Sequence, residues 1–96
     1  MHQSNYAAIN PNDFVMRLNN LLQAQGKLNT LTWKESAEGP AHGPEWTITA
    51  YIDNQEFGYG THRTKQGARH EAARMTLENL AMLDRLEEEM EENLRS

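Results

Sequence analysis

Cysteine is absent from this 96-residue chain. That removes disulfides, cysteine-ligated zinc and thiol nucleophiles together. Long apolar runs are also missing: no stretch approaches the ~20 residues a membrane-spanning helix needs. Residues Met1 to Asn10 are polar and lack the apolar centre of a signal peptide. The chain is therefore expected to be soluble and intracellular, with cytoplasm and nucleus undistinguished and no membrane partner. Basic residues are few, nine Lys and Arg against fourteen Asp and Glu, for a net charge of -5.

The charge is unevenly placed. Residues 1 to 80 carry seven basic and eight acidic side chains, whereas residues 81 to 96 carry two and six. Most of the acidity belongs to the C-terminal segment, so the body is near neutral and any anion-binding surface is a local patch. The length suits one domain with one core. The hydrophobic fraction is 38%, with Phe14, Trp33, Trp46, Phe57 and several leucines. That suffices for helices packed on one face of a sheet.

Along the chain, residues 1–9 read as a disordered lead, 10–82 as the domain and 83–96 as an acidic helical extension. Asn10-Pro11-Asn12-Asp13 carries helix-start chemistry: cap-type side chains, a proline near the first turn and an acid facing the dipole. Phe14, Leu18, Leu21 and Leu22 then share one helical face, and Gly26 ends the helix. From Thr30 the period becomes two. Leu31 and Trp33 define a first strand, Ala37 to Pro44 a loop, and Trp46, Ile48, Ala50 and Ile52 a second strand. Asp53-Asn54 suits a tight hairpin turn into a third strand with Phe57, Tyr59 and Thr61. On that strand's other face Gly58 and Gly60 leave room for a close neighbour. A second helix begins at Thr64 as N-cap, with Ala68, Ala72, Ala73, Met75, Leu77 and Leu80 as its apolar stripe. The fold class expected is α+β, in α-β-β-β-α order, with two helices on one face of a three-stranded antiparallel sheet and the second helix extended at its C-terminus.

Three patches carry possible chemistry. The second helix opens with Lys65, Gln66 and Arg69, preceded by His62 and Arg63. Lys65 and Arg69 are four residues apart, expected to point together away from the alanine stripe, and a helix N-terminus suits phosphate. The loop Gly39-Pro40-Ala41-His42 presents a restricted shape with carbonyls and an imidazole. On the first helix, Met16, Asn19, Asn20 and Gln23 lie opposite Phe14 and Leu18. Each patch alone reads more readily as ordinary surface. Together they supply polar groups on two separate elements and cations between them, which is what reading two successive minor grooves of an RNA duplex requires. Trp33 and Trp46, on alternating strand faces, are expected in the core rather than as base-stacking platforms.

The stretch Gly39-Pro40-Ala41-His42, then Gly58-Tyr59-Gly60, then Thr64-Lys65-Gln66-Gly67-Ala68-Arg69-His70-Glu71-Ala72-Ala73 resembles the double-stranded-RNA-binding domain family. Its hallmarks are a GPxH loop and a G-x-G followed by a basic KKxAKxxAA helix. Leu18-Asn19-Asn20 sits where the family has an L-N-E type segment, and the paired tryptophans look like those of short, single-domain fungal members. The resemblance covers roughly residues 11 to 82. It implies shape-based binding of double-stranded RNA without sequence specificity. Met16, Asn19, Asn20 and Gln23 would sit on one minor groove and Gly39, Pro40, Ala41 and His42 on the next. Arg63, Lys65, Gln66 and Arg69 would face the phosphates between. Three departures stand out: Gln66 replaces a lysine, which lowers the expected affinity, Arg69 stands in place of a lysine, and Asn20 replaces a glutamate.

No enzyme, metal or cofactor is expected. His70-Glu71 resembles the start of a zinc-protease helix, but the position four residues after His70 is Arg74. The rival to RNA binding is a protein-interaction module. Leu83, Leu86, Met90 and Leu94 continue a narrow apolar stripe flanked by glutamates, suited to a homodimer or another protein partner.

Overall fold

The structure, a computed structural model, describes residues 13–95. Its order is α1 (Phe14–Ala24), a 3-10 turn (Leu28–Thr30), β1 (Leu31–Glu38), β2 (Glu45–Ile52), β3 (Gln55–His62) and α2 (Lys65–Arg95). The strands form one antiparallel sheet in the order β1-β2-β3. The α-β-β-β-α arrangement expected from the residue pattern is the one observed.

Asp13 caps α1: its carboxylate oxygen Oδ1 accepts from the Met16 N–H at 3.0 Å, satisfying a donor the first turn leaves free. The expected lead over residues 1–9, and Asn10 to Asn12 of the expected helix start, lie outside the described residues. Leu18 and Leu22 of α1 are fully buried, where they meet Ile52 of β2 and Ala73 of α2. Phe14, Val15, Leu31, Trp33, Phe57, Leu77 and Leu80 close around them. A second cluster joins Ile48 to Ala68 and Ala72, with Trp33 and Trp46 packed against it. Both tryptophans thus belong to the core wall. Gly26 follows α1 at φ 70°, the left-handed conformation that glycine adopts without strain.

Three details differ from the residue pattern. The β1–β2 loop is shorter than Ala37 to Pro44, because Ala37 pairs with Trp46 and Glu38 with Glu45. Only residues 39–44 remain outside the strands, tied by a Gly43 N–H to Pro40 carbonyl bond of 3.0 Å. Secondly, Phe57 does not simply alternate with Tyr59 and Thr61. Ala50 pairs with Gly58 and Tyr51 with Glu56, so Phe57 is the extra residue of a β-bulge and packs against the core. Thirdly, the buried stripe of α2 is Ala68, Ala72, Ala73 and Thr76, not Met75. The Thr76 hydroxyl donates to the Ala72 carbonyl at 2.7 Å. That bond lets a polar side chain sit in the core. Met75 instead faces the β3 edge, where its Sδ receives the Tyr59 N–H at 3.4 Å. One turn later, Asn79 Nδ2 donates to the Phe57 carbonyl at 2.6 Å. These two side chains occupy backbone groups that an edge strand would otherwise offer to another chain.

Asp53 and Asn54 make the two-residue hairpin at φ 54° and 66°. Positive dihedrals at both positions are what a type I′ turn requires. Thr64 caps α2, its Oγ1 accepting from the Gly67 N–H at 3.0 Å. The helix then runs 31 residues. At a rise of ~1.5 Å per residue it is ~46 Å long. Every residue from Ala81 to Arg95 is exposed. Among the described residues, no helix is long and apolar enough to cross a membrane.

Candidate nucleic-acid interface

The first of the three patches is the start of α2. Here the His62 ring lies tucked beneath the helix: Nδ1 accepts from the Thr64 N–H at 3.3 Å, and a Cβ on Gly67 would collide with the ring. His62 thus supports the helix start through Nδ1 while remaining exposed. Arg63 and Gln66 are exposed. Arg63 shares a shallow concavity with His42, Gly43, Pro44 and Glu45, so the structure brings the loop imidazole and a cation onto one surface.

Lys65 and Arg69 do point together, but onto the flank of the helix that overhangs β1. Lys65 Nζ stands 4.8 Å from the centre of the Trp46 ring, and the Arg69 guanidinium carbon 5.8 Å from that of Trp33. Glu35 reaches up between them: Oε1 is 3.3 Å from Lys65 Nζ and Oε2 is 2.6 Å from the Arg69 guanidinium. The Lys65 side chain keeps 51% of its exposure and Arg69 36%. Arg69 Nε is buried without a hydrogen-bond partner among the described residues. Lys65 is the more exchangeable cation and Arg69 the more deeply seated. The two cations do share one flank of α2, and there each lies over an aromatic ring of the sheet while one carboxylate reaches both.

Glu35 is not among the residues that the sequence singles out. Its signal lies in the alternation, because residue 35 shares the inner face of β1 with Leu31 and Trp33. The third cation of α2, Arg74, is engaged elsewhere. It donates to Glu71 at 3.0 and 3.2 Å and to Glu78 at 2.9 Å. The Glu71 hydrogen bond above all raises its pKa beyond the ordinary value.

The remaining two patches are simpler. Gly39, Pro40, Ala41 and His42 are all exposed at the tip of the β1–β2 loop, with Gly39 at φ 97°. On α1, Asn20 and Gln23 are exposed, whereas Met16 and Asn19 are half-buried, so the polar face is narrower than its four residues suggest. The start of α1 meets α2 through Phe14 and His70, whose ring centres are 4.8 Å apart. Each of the three patches is therefore fixed to the same two-layer body.

A sequence profile described as "Double-stranded RNA binding motif" matches residues 14–80, from the first residue of α1 to the last half-buried residue of α2. The chain is also similar to curated proteins named Ribonuclease 3. That of Geobacillus thermodenitrificans is 38% identical over 74 residues, which is 76% of this chain and 30% of the relative. That of Geobacter sulfurreducens is 39% identical over 75 residues, 77% of this chain and 30% of the relative. That of Streptococcus gordonii is 33% identical over 66 residues, 69% of this chain and 28% of the relative. The chain spans about 30% of the length of the relatives it matches.

Proposed function

The chain belongs to the double-stranded RNA binding motif family, and on that footing we propose that it binds double-stranded RNA by shape, without reading sequence. The observation that carries this is the coverage of the match. It includes all three candidate contact elements, α1, the β1–β2 loop and the start of α2, on one two-layer body. Asn20 and Gln23, flanked by Met16 and Asn19, meet the 2′-hydroxyls of one minor groove. Pro40, Ala41 and His42, hinged at Gly39, meet those of the next. Arg63, Lys65, Gln66 and Arg69 face the phosphates of the major groove between. The role assigned is binding; no bond-breaking step is attached to it.

Selectivity for RNA follows from the chemistry of those contacts. A minor groove that is wide, shallow and lined with 2′-hydroxyls exists in A-form RNA and not in B-form DNA. Titration with RNA, hybrid and DNA duplexes of ~16–20 bp over a salt series tests the proposal. Tight binding to RNA, weaker to hybrid and weakest to DNA is expected. Equal affinity for DNA, or no RNA binding at low salt, ends it.

A second reading has its own observation. Leu83, Leu86, Met90 and Leu94 lie on the projecting half of α2, with Met90 63% and Leu94 85% exposed. An apolar stripe left open on a helix that has outrun its own core suits a second helix. We propose self-association of two copies through this segment as a property alongside RNA binding, carried by different residues.

A further inference from the structure

We infer that Glu35 is an internal stand-in for RNA phosphate: it occupies Lys65 and Arg69 in the free protein and so sets how tightly the domain binds a duplex. The inference rests on the RNA-binding proposal above and adds a residue that lies outside all three contact patches.

The geometry is that of an anion seated in a cation pair. One carboxylate places one oxygen 3.3 Å from Lys65 Nζ and the other 2.6 Å from the Arg69 guanidinium, with Trp46 and Trp33 beneath the two cations. An oxyanion of phosphate would use the same two donors. Glu35 comes from the sheet, 34 residues away in sequence from Arg69, so its position is set by the β1 backbone and not by the helix. Trp33 and Glu35 alternate inward on β1, while Glu35 pairs with Ile48, which packs under Ala68 and Ala72. β1 therefore sets the place from which Glu35 reaches across to the two cations of α2.

The consequence is a threshold. Two cations and one carboxylate leave a net single positive charge where the helix start alone would offer two. A phosphate approaching Lys65 and Arg69 competes with Glu35 for their charge and donors, and every polyanion meets that competition. Ligands that bind through charge alone have nothing further to set against it. An A-form duplex also engages α1 and the β1–β2 loop, so it can overcome the clamp. A near-neutral body with few cations then still discriminates against indiscriminate polyanion binding.

Glu35→Gln tests this, because glutamine keeps the shape and an acceptor oxygen while removing the charge. Glu56→Gln serves as control, since it makes the same change in net charge on the exposed part of β3 beside the hairpin turn. Affinity for a ~20 bp RNA duplex is measured for wild type and both variants over a salt series. Retention on phosphocellulose is measured in parallel as a readout that needs no RNA. Glu35→Gln is expected to bind RNA about three- to tenfold more tightly at ~0.1 M salt, with a steeper salt slope, and to elute later from phosphocellulose. The gain should vanish in a Lys65→Gln/Arg69→Gln background, while Glu56→Gln stays near wild type.

Elution of Glu35→Gln together with Glu56→Gln from phosphocellulose overturns the inference. So does RNA affinity that falls or holds steady in Glu35→Gln, which would mean that Glu35 arranges the cations for RNA instead of competing with it. If the wild type ignores RNA duplex altogether yet Glu35→Gln still gains retention, the RNA-binding proposal fails while the competition between Glu35 and phosphate stands.

Discussion

Gly60 of β3 and Ala68 of α2 meet backbone to backbone: a Cβ built on the glycine would collide with the Ala68 carbonyl oxygen and stand 2.7 Å from the Ala72 nitrogen. Gly58, two residues earlier, stands in the same relation to Ala72 and Thr76. The alanine stripe and the two glycines are one device, which lets α2 lie directly on an edge strand. Gly60→Ala is expected to destabilise the fold by about 2–3 kcal/mol, because the opposing atoms are helix backbone and the Glu71 Cβ fixed to it, none of which can swing aside. For a domain of this size that is a drop of at least ~8 °C in melting temperature. Gly43→Ala, where an added Cβ would meet nothing within 4 Å, should leave the melt nearly unchanged. Thermal and urea unfolding of the two variants make the check.

Asp13 gives a smaller effect at the other helix. Its side chain accepts the Met16 N–H, and Met16 opens the α1 face proposed to enter a minor groove. Removing a helix cap of this kind costs about 1 kcal/mol. Asp13→Ala should lower stability by that amount, whereas Asp13→Ser or Asp13→Asn should recover most of it. Urea denaturation midpoints decide the matter. A variant with unchanged stability would show that packing of Phe14 and Leu18, not the cap, holds the helix start.

Much of this architecture is legible in the sequence because the signals are local. Leu18 and Leu22 declare their face by helical spacing, Asp53-Asn54 declares a turn by its side-chain types, and Thr64 declares a cap by position. What stays hidden depends on partners distant in the chain. The bulge at Phe57 is a mismatch between two strands, so no property of β3 alone reveals it. Thr76 interrupts an otherwise apolar stripe, and its burial makes sense only once the Ala72 carbonyl and Gly58 are beside it. The same holds for the candidate site. The types of Lys65 and Arg69 mark a candidate phosphate patch, but helical periodicity carries no information on whether a carboxylate from β1 already reaches it.

Lys65 and Arg69 should separate in a mutational test, since they are bound to their surroundings differently. Lys65 is the more exposed and holds Glu35 at the longer distance. Lys65→Gln is expected to weaken RNA binding similarly for all sequences and to flatten the slope of log affinity against log salt by about one. Its melting temperature should match the wild type, as exposed ion pairs contribute little. Arg69→Gln removes a half-buried side chain lying over Trp33 and bonded to Glu35 at 2.6 Å. It should reduce both RNA affinity and stability, the latter by roughly 1 kcal/mol. Paired binding and melting curves read the two effects. Equal losses of stability in both variants would show that the cations are equivalent parts of the scaffold.

The projecting half of α2 needs a test whose sign differs from that of RNA binding. Leu83, Leu86, Met90 and Leu94 follow one another at steps of three, four and four residues. That is about 3.67 residues per turn, so two such helices would pack nearly straight or with a slight right-handed twist. Around them stand Glu87, Glu88, Glu89, Glu91 and Glu92. Two copies brought together therefore repel through their acids while their stripes attract. Salt screens the repulsion and leaves the apolar contact intact. Association is thus expected to strengthen between ~50 mM and ~500 mM salt, over the range in which RNA binding weakens. Leu86→Gln/Met90→Gln should remain monomeric at all concentrations and bind RNA duplex with wild-type affinity. Neither side chain belongs to the core, so the melting temperature at low concentration should not fall. Sedimentation equilibrium across protein and salt concentrations provides the measurement. A wild type that sediments as a monomer throughout removes self-association from the proposed properties, and leaves the stripe as the solvent-facing side of a helix kept soluble by its glutamates.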